Sequence, residues 1–334
     1  PYNLSNAPSI RELRELYTHS FHLFRMLEKP DSDETEQKFI DQMKSHFNSL
    51  KSAVPLIANG LSQCIAENPA QAPLIQACPF LNGFLDRFHA ARLGTRLLTG
   101  QYITCKEQQM KAKRSKNILG LIDFECNPKS ILENAIDDAI RLSESNYGKC
   151  PDVNIKLQDA NIRFAYIPSD LHYIFFELMK NSMRAVCEYH AKHGHENDEL
   201  PAIDCVIVAS QQSDDVTIKI SDQGGGISRE NMDKIWYYSF TTIQADAQPQ
   251  INPNPNALNA AASDRGSASA PMAGFGYGLP LSRLYARYFG GDLEVISMDG
   301  YGTDAFVYLN WLKPDDTRKL TAKDALAPHL TAHS

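Results

Sequence analysis

Residues 274–291 read GFGYGLPLSRLYARYFGG. Gly274, Gly276 and Gly278 alternate with two aromatic residues, and Leu279-Pro280 then opens a stretch with helical spacing. Glycine lets a backbone approach a ligand closely, and a helix start offers free N–H groups at the positive end of its dipole. Both features suit phosphate. The spacing is not the GxGxxG of a dinucleotide fold, and the chain contains no GxxxxGK followed by Ser or Thr. Taken alone, alternating glycines serve a flexible hinge equally well, so the surroundings decide.

Upstream, Val216–Ile220 has the alternation of a strand and leads into Asp222-Gln-Gly-Gly-Gly226. A carboxylate at a strand end can accept from an exocyclic amine such as that of adenine, and three successive glycines carry an entropic cost that asks for a reason. Earlier still, Leu171, Ile174, Phe175, Leu178 and Val186 form the apolar stripe of a helix over Leu171–His190. Glu177, Asn181 and Arg184 share another face of it, with Lys180 beside Glu177. A carboxylate, an amide and two cations could place a general base and hold Mg²⁺ and phosphates. The more common meaning of such a face is solvated surface with an internal ion pair. Residues 243–271, IQADAQPQINPNPNALNAAASDRGSASAP, are nearly empty of large apolar groups, which predicts a mobile loop.

The rest of the chain fixes the frame. Ile10, Leu13, Leu16, Tyr17, Phe21, Phe24 and Leu27 recur at helical spacing; Phe39, Ile40, Met43, Phe47 and Leu50 continue it up to Pro55. Leu81, Phe84, Leu85, Phe88, Leu93 and Leu97 form a third stretch, with no period-2 strand before residue 150. An antiparallel helix bundle over residues 1–120 is the economical reading. After it, Ser130 and Glu133 have capping-box spacing for a helix ending near Asn146–Gly148. Strands are predicted at 153–157, 202–209, 216–220, 293–296 and 305–309, interleaved with helices at 130–147, 170–190 and 280–289. The fold class is therefore α+β: a bundle, then an α/β sandwich over 121–312 with one mixed sheet and helices on one face, then a polar tail at 313–334.

Length allows two domains: 334 residues against about 100–200 per compact domain. Apolar runs such as Val206–Ala209 are too short to cross a bilayer. A net charge of −7 argues against a nucleic-acid partner, which would call for a basic face. Seven dispersed cysteines without CxxC spacing read as buried thiols in a reducing compartment. The chain opens at Pro1, which reads as a mature or trimmed form with any targeting segment upstream.

A polar-faced helix, Asp-x-Gly-x-Gly, a loop and then Gly-x-Gly-x-Gly-Leu stand in the order of the N box, G1 box, ATP lid and G2 box of the GHKL ATPases, which the chain resembles. Within them it resembles the mitochondrial pyruvate dehydrogenase kinases over nearly its whole length, through ELYTHSF (15–21), VPLIANG (54–60), FLDRF (84–88), FELMKNSMRA (176–185), GFGYGLPLSRLYARYFGGDL (274–293) and SMDGYGTDA (297–305). The branched-chain ketoacid dehydrogenase kinase is a less similar relative. The resemblance implies an ATP-dependent serine kinase acting directly on the α subunit of the pyruvate dehydrogenase complex, with no phosphohistidine. Glu177 would be the general base assisted by Lys180, and Asn181 the Mg²⁺ ligand with Arg184 nearby. Asp222, Gly224 and Gly226 would line the adenine site. Thr241, Thr242, Gly274, Gly276, Gly278, Leu279 and Thr303 would complete the nucleotide site. Tyr17, Ser20, Arg92 and Arg96 match a small-carboxylate regulatory pocket; the bland reading of the two arginines is a basic helix edge. Lipoyl-domain binding, a homodimer and a matrix location are implied too.

The pattern is not followed throughout. Leu50 stands where the family has a histidine contacting the catalytic glutamate, Phe47 where it has a pocket arginine, and Tyr173 where it has a histidine one turn before Glu177. The tail after 312 lacks the family's Asp-Trp motif, and the N-terminal surface that helps bind lipoyl domains is missing. Two other readings share the pocket. A sensor histidine kinase needs a His-Glu pair that His19, His22, His46 and His89 do not provide. A nucleotide-responsive scaffold is suggested by Leu50 but opposed by the intact Glu177 and Asn181.

Overall fold

The computed structural model describes residues 4–110, 117–159, 161–194, 199–210, 215–240 and 276–312. Helix α1 (Pro8–Met26) starts with proline, whose missing N–H costs nothing there. Helix α2 (Asp33–Ser49) is started by a capping box in which the Ser32 hydroxyl accepts from the Thr35 N–H and Thr35 accepts from the Ser32 N–H. Between these and the long α5 (Pro79–Met110) lie two further helices, α3 (Ala53–Glu67) and the short α4 (Ala72–Gln76). Helix α3 falls where the pattern was expected to stop at Pro55. Proline is tolerated in its first turn, and burial of Ala53, Val54, Leu56, Ile57, Ala58 and Leu61 together erases the one-sided periodicity.

The strand prediction needs a second correction. Strands β1 (Ile118–Leu119) and β2 (Ile122–Cys126) precede residue 150 and pair with β4 (Phe164–Tyr166) in a small separate sheet. Gln101 and Gln108 of α5 bind the β1–β2 turn: Gln101 accepts from Leu121 N–H and donates to the Leu119 carbonyl, and Gln108 accepts from Gly120 N–H. Helix α6 (Pro128–Tyr147) begins ahead of Ser130, because Asn127 Oδ1 accepts from the Lys129 and Ser130 N–H groups. Its end is as expected, with Gly148 in the left-handed region.

The main sheet has five strands in the order β3-β5-β6-β8-β7, where β3 is Val153–Leu157, β5 Ile203–Ala209, β6 Asp215–Asp222, β7 Asp292–Met298 and β8 Gly302–Asn310. Only β3 and β5 run parallel. Ile203, Cys205 and Ile207, Val216, Ile218 and Ile220, and Ala305, Val307 and Leu309 are buried at alternate positions, so one face carries the core. On that face lie α7 (Pro168–Lys192) and α9 (Gly278–Tyr288), with α6 packed against α7; a short α8 (Arg229–Met232) follows the β6 loop. Bundle and sandwich meet where α5 packs on α9, and the partly buried Arg96 donates to the Tyr285 hydroxyl at 3.0 Å. Cys64, Cys126, Cys187 and Cys205 are buried as expected, but Cys78, Cys105 and Cys150 are partly exposed; all seven are free thiols. No described helix is long and apolar enough to cross a membrane.

Candidate functional site: a cleft between helix α7 and the start of helix α9

Glu177, Lys180, Asn181 and Arg184 all open into one cleft of about 170 Å³. They are not a solvated surface: Glu177 is 6% exposed and Lys180 5%. Helical spacing of three and four puts them in a row, and the sheet and α9 close over that row. Lys180 Nζ donates to Glu177 Oε1 at 2.7 Å and stands over the Phe176 ring. A carboxylate and ammonium this buried survive only as a pair, so the helix holds Glu177 in one place. Arg184 has its nearest carboxylate, Glu188, 3.9 Å away, and its Nε makes no hydrogen bond among the described residues. That leaves a cation with donors to spare at the cleft.

The far wall is the start of α9. Gly276, Gly278 and Leu279 line the cleft. No side chain caps the start of α9, so the N–H groups of Gly278 and Leu279, two residues that line the cleft, have neither an intrahelical acceptor nor a side-chain cap; Pro280 has no N–H. Gly276 adopts φ +75°, and a Cβ there would fall 2.4 Å from the Phe240 carbonyl oxygen. A Cβ at Gly278 would fall 2.3 Å from Glu177 Oε2. The glycines therefore bring the phosphate-type backbone and the carboxylate within contact of each other. Gly274, Thr241 and Thr242 lie outside the described residues, as do the 243–271 loop and the 313–334 tail.

At the other end, Asp222 and Thr303 pair across β6 and β8. Asp222 accepts from the Gly224 N–H at 2.9 Å and from the Ser182 hydroxyl at 2.9 Å. Burial raises its carboxyl above the ordinary carboxylate range, against the pull of those two donors and the Thr303 N–H. Ile227, Ile235, Val295 and Ala305 give the cleft an apolar wall suited to a flat ring. Spacing alone did not reveal these four or Ser182, whose position beside Asn181 was the only clue. Gly224 and Gly226 stand beside the cleft wall at Asp222 and Ile227 and are not among the residues that line it. A Cβ at Gly224 would strike Ala185 on α7, and one at Gly226 (φ +72°) the Met298 carbonyl. They let the loop close against its neighbours.

Tyr17, Ser20, Arg92 and Arg96 come together in a different cavity, about 1380 Å³ among α1, α2 and α5. Ser20 Oγ lies 3.1 Å from Nε2 of the buried His46, a residue that sequence reasoning weighed only as a phosphoacceptor. Phe47 and Leu50 line this cavity and not the Glu177 cleft. The Tyr17 hydroxyl and Arg92 Nε are buried without a hydrogen-bond partner among the described residues. The basic helix edge is thus an internal surface. The bundle cavity is the larger space, but converging charged groups beside an uncapped helix start make the smaller one the candidate site of chemistry.

A five-stranded mixed sheet with such a cleft is the frame of an ATPase domain, and residues 166–313 match the family model described as histidine kinase-, DNA gyrase B-, and HSP90-like ATPase. Residues 1–123 match the model described as mitochondrial branched-chain alpha-ketoacid dehydrogenase kinase. Among curated relatives, the mitochondrial pyruvate dehydrogenase (acetyl-transferring) kinase of Arabidopsis thaliana is 35% identical over 314 residues, which is 93% of this chain and 78% of that protein. The kinase of the same name from Schizosaccharomyces pombe is 43% identical over 231 residues, 69% of this chain and 50% of its own length. Isozyme 4 from Rattus norvegicus is 35% identical over 327 residues, 96% of this chain and 73% of its own. The chain belongs to the family of mitochondrial pyruvate dehydrogenase kinases.

Proposed function

We propose that this protein is an ATP-dependent serine kinase that phosphorylates the α subunit of the pyruvate dehydrogenase complex and thereby inactivates it. The observation that carries the reading is the joining of Glu177, Lys180, Asn181 and the Gly276–Leu279 backbone in one cleft with Asp222 and Thr303. Asp222 receives the adenine amine, the start of α9 receives the phosphates, and Glu177 takes the proton of the substrate serine as it attacks. Lys180 orients the carboxylate and offsets charge near it. The Asn181 amide oxygen, with phosphate oxygens, fits a Mg²⁺ site, and the ion would neutralise charge on the transferring group. The protein's part is then positioning more than covalent chemistry.

The same reading gives the bundle, residues 1–120, the role of binding the complex through its lipoyl domain and of sensing a small carboxylate at Tyr17, Ser20, Arg92 and Arg96. It makes residues 121–312 the catalytic domain, in a homodimer located in the mitochondrial matrix. Titrating pyruvate against the wild type and Arg92→Ala tests the regulatory pocket; equal responses would remove it.

The match of residues 1–123 to a branched-chain kinase model favours one second reading, with the branched-chain complex as substrate. Purified pyruvate and branched-chain dehydrogenase complexes, assayed side by side, separate the two. Acid-stable phosphate on the pyruvate dehydrogenase α subunit is the expected result. Acid-labile phosphate on the kinase itself would point instead to a histidine kinase, and modification of the branched-chain complex alone would reassign the substrate.

A further inference from the structure

The phosphate end of the cleft is not held by the catalytic domain alone. Phe240 and Gly276 stand at its rim with their backbones close together, and the residue next to each, Ser239 and Tyr277, is contacted from the bundle. Asn82, in the first turn of α5, accepts from the Tyr238 N–H at 3.1 Å while its amide group donates to the Gln76 and Cys78 carbonyls. One side chain thus ties the α4–α5 elbow to the segment entering the rim. Gln76 donates to the Ser239 carbonyl at 3.0 Å. One turn further along α5, Asp86 accepts from the buried Tyr238 hydroxyl at 2.8 Å. His89, 2% exposed, then stacks on the Tyr238 ring at 5.2 Å and meets the Tyr277 ring edge-on at 5.7 Å.

These contacts bear on two separate stretches at once: Tyr238–Phe240 and Tyr277, the residue before the α9 start. Ser239 between them is held at φ +64°, the one non-glycine residue with positive φ among those described. Such a conformation persists only where neighbours over-determine it. The neighbours here are Gln76 on its carbonyl and Asn82 and Asp86 on the residue before it. The adenine end, at Asp222, Ser182 and Thr303, has no such tie to the bundle among the hydrogen bonds of the described residues.

We infer that Asn82 and Asp86 are positioning residues of the nucleotide site: through Tyr238 they set the spacing of the Phe240–Gly276 rim, so that the helix bundle governs how tightly the phosphates are held and leaves adenine recognition untouched. The inference rests on the proposed orientation of ATP in the cleft. It makes the bundle a working part of the catalytic domain, since anything that shifts the α4–α5 elbow changes ATP affinity by that route.

Calorimetric titration of the full chain with ATP–Mg²⁺ and, separately, with adenosine tests it. Tyr238→Phe deletes one oxygen, Asp86→Leu removes the acceptor and Asp86→Asn restores one. Tyr238→Phe and Asp86→Leu are expected to weaken ATP binding about five- to fiftyfold with adenosine affinity unchanged, and Asp86→Asn to recover most of the loss. A parallel loss of both ligands, or no loss of ATP affinity in a folded Tyr238→Phe variant, would overturn the inference. Wild-type protein that binds adenosine and ATP equally would instead refute the proposed placing of the phosphates. Should Asp86→Leu not fold, Tyr238→Phe with its Asp86→Asn comparison still decides the matter.

Discussion

Oε2 of Glu177 lies so close to Gly278 that a methyl group on the glycine would stand 2.3 Å from it. The carboxylate on α7 and the first residue of α9 share one small space. Every functional statement about the cleft depends on that closeness.

Gly278→Ala should therefore separate stability from activity. Position 278 is helical and alanine is the better helix former, by up to about 1 kcal/mol in a helix interior, so the melting temperature should hold or rise. The added carbon meets the carboxylate end of Glu177, which lines the open cleft and can shift there with its Lys180 partner, so the displacement falls on the carboxylate and not on the backbone. A carboxylate displaced by about 1 Å costs roughly 100-fold in rate. Thermal melting and steady-state kinetics of one preparation check both halves; a fall in melting temperature with kcat preserved would contradict the geometry.

Asp222 gives a pH signature. Its native carboxyl is raised by burial, so the native state binds the proton more tightly than the unfolded chain, whose carboxyl stays near the ordinary 3.8. The stabilising contribution is complete below that unfolded value and is lost as pH rises through the native one. Asp222→Asn keeps an acceptor for the Gly224 N–H and has no charge to bury. Its melting temperature relative to wild type should be higher at pH 7 than at pH 4.5, while ATP affinity drops about 10- to 100-fold from loss of a charged acceptor. A difference in melting temperature that does not change with pH would refute the burial argument.

Asp292 behaves in the opposite sense. Burial alone would raise its carboxyl, but Arg287, at 2.7 Å, and Arg283, at 3.0 Å, outweigh that and bring it down to about 2. Its contribution is present above the unfolded value near 3.8 and disappears as pH falls to about 2. Asp292→Asn should lower the stability of the α9–β7 corner at pH 7, and the deficit should shrink across pH 4 to 2. Urea unfolding midpoints at several pH values follow it; a deficit constant down to pH 2 would mean the aspartate acts by packing.

The site was legible in part because helix and strand periods are short-range. Glu177, Lys180 and Asn181 announce a shared face through spacing of three and four, and Asp222 and Thr303 fall at the ends of alternating stretches. Residues whose partners are distant in the chain gave no such signal. Asn82 and Asp86 find Tyr238 more than 150 positions away, and nothing local marks them. Helix α3 was hidden by its own burial, since a helix enclosed on most sides shows no polar stripe. Strands β1, β2 and β4 are two, five and three residues long, too short for an alternation to stand out. Gly224 and Gly226 have a packing reason that the sequence did not show. Glycine reads as making room for a ligand, and here α7 and the Met298 carbonyl also stand against it.

The most direct test of the whole account is Glu177→Gln, which keeps the shape of the side chain and an oxygen for Lys180 but cannot take up a proton. ATP binding and phosphate transfer to the purified pyruvate dehydrogenase complex are measured on the same protein. The account predicts transfer reduced by at least about 100-fold, as expected for a lost general base, with ATP affinity within about threefold of wild type. Transfer at the wild-type rate would remove Glu177 from the chemistry and contradict the account.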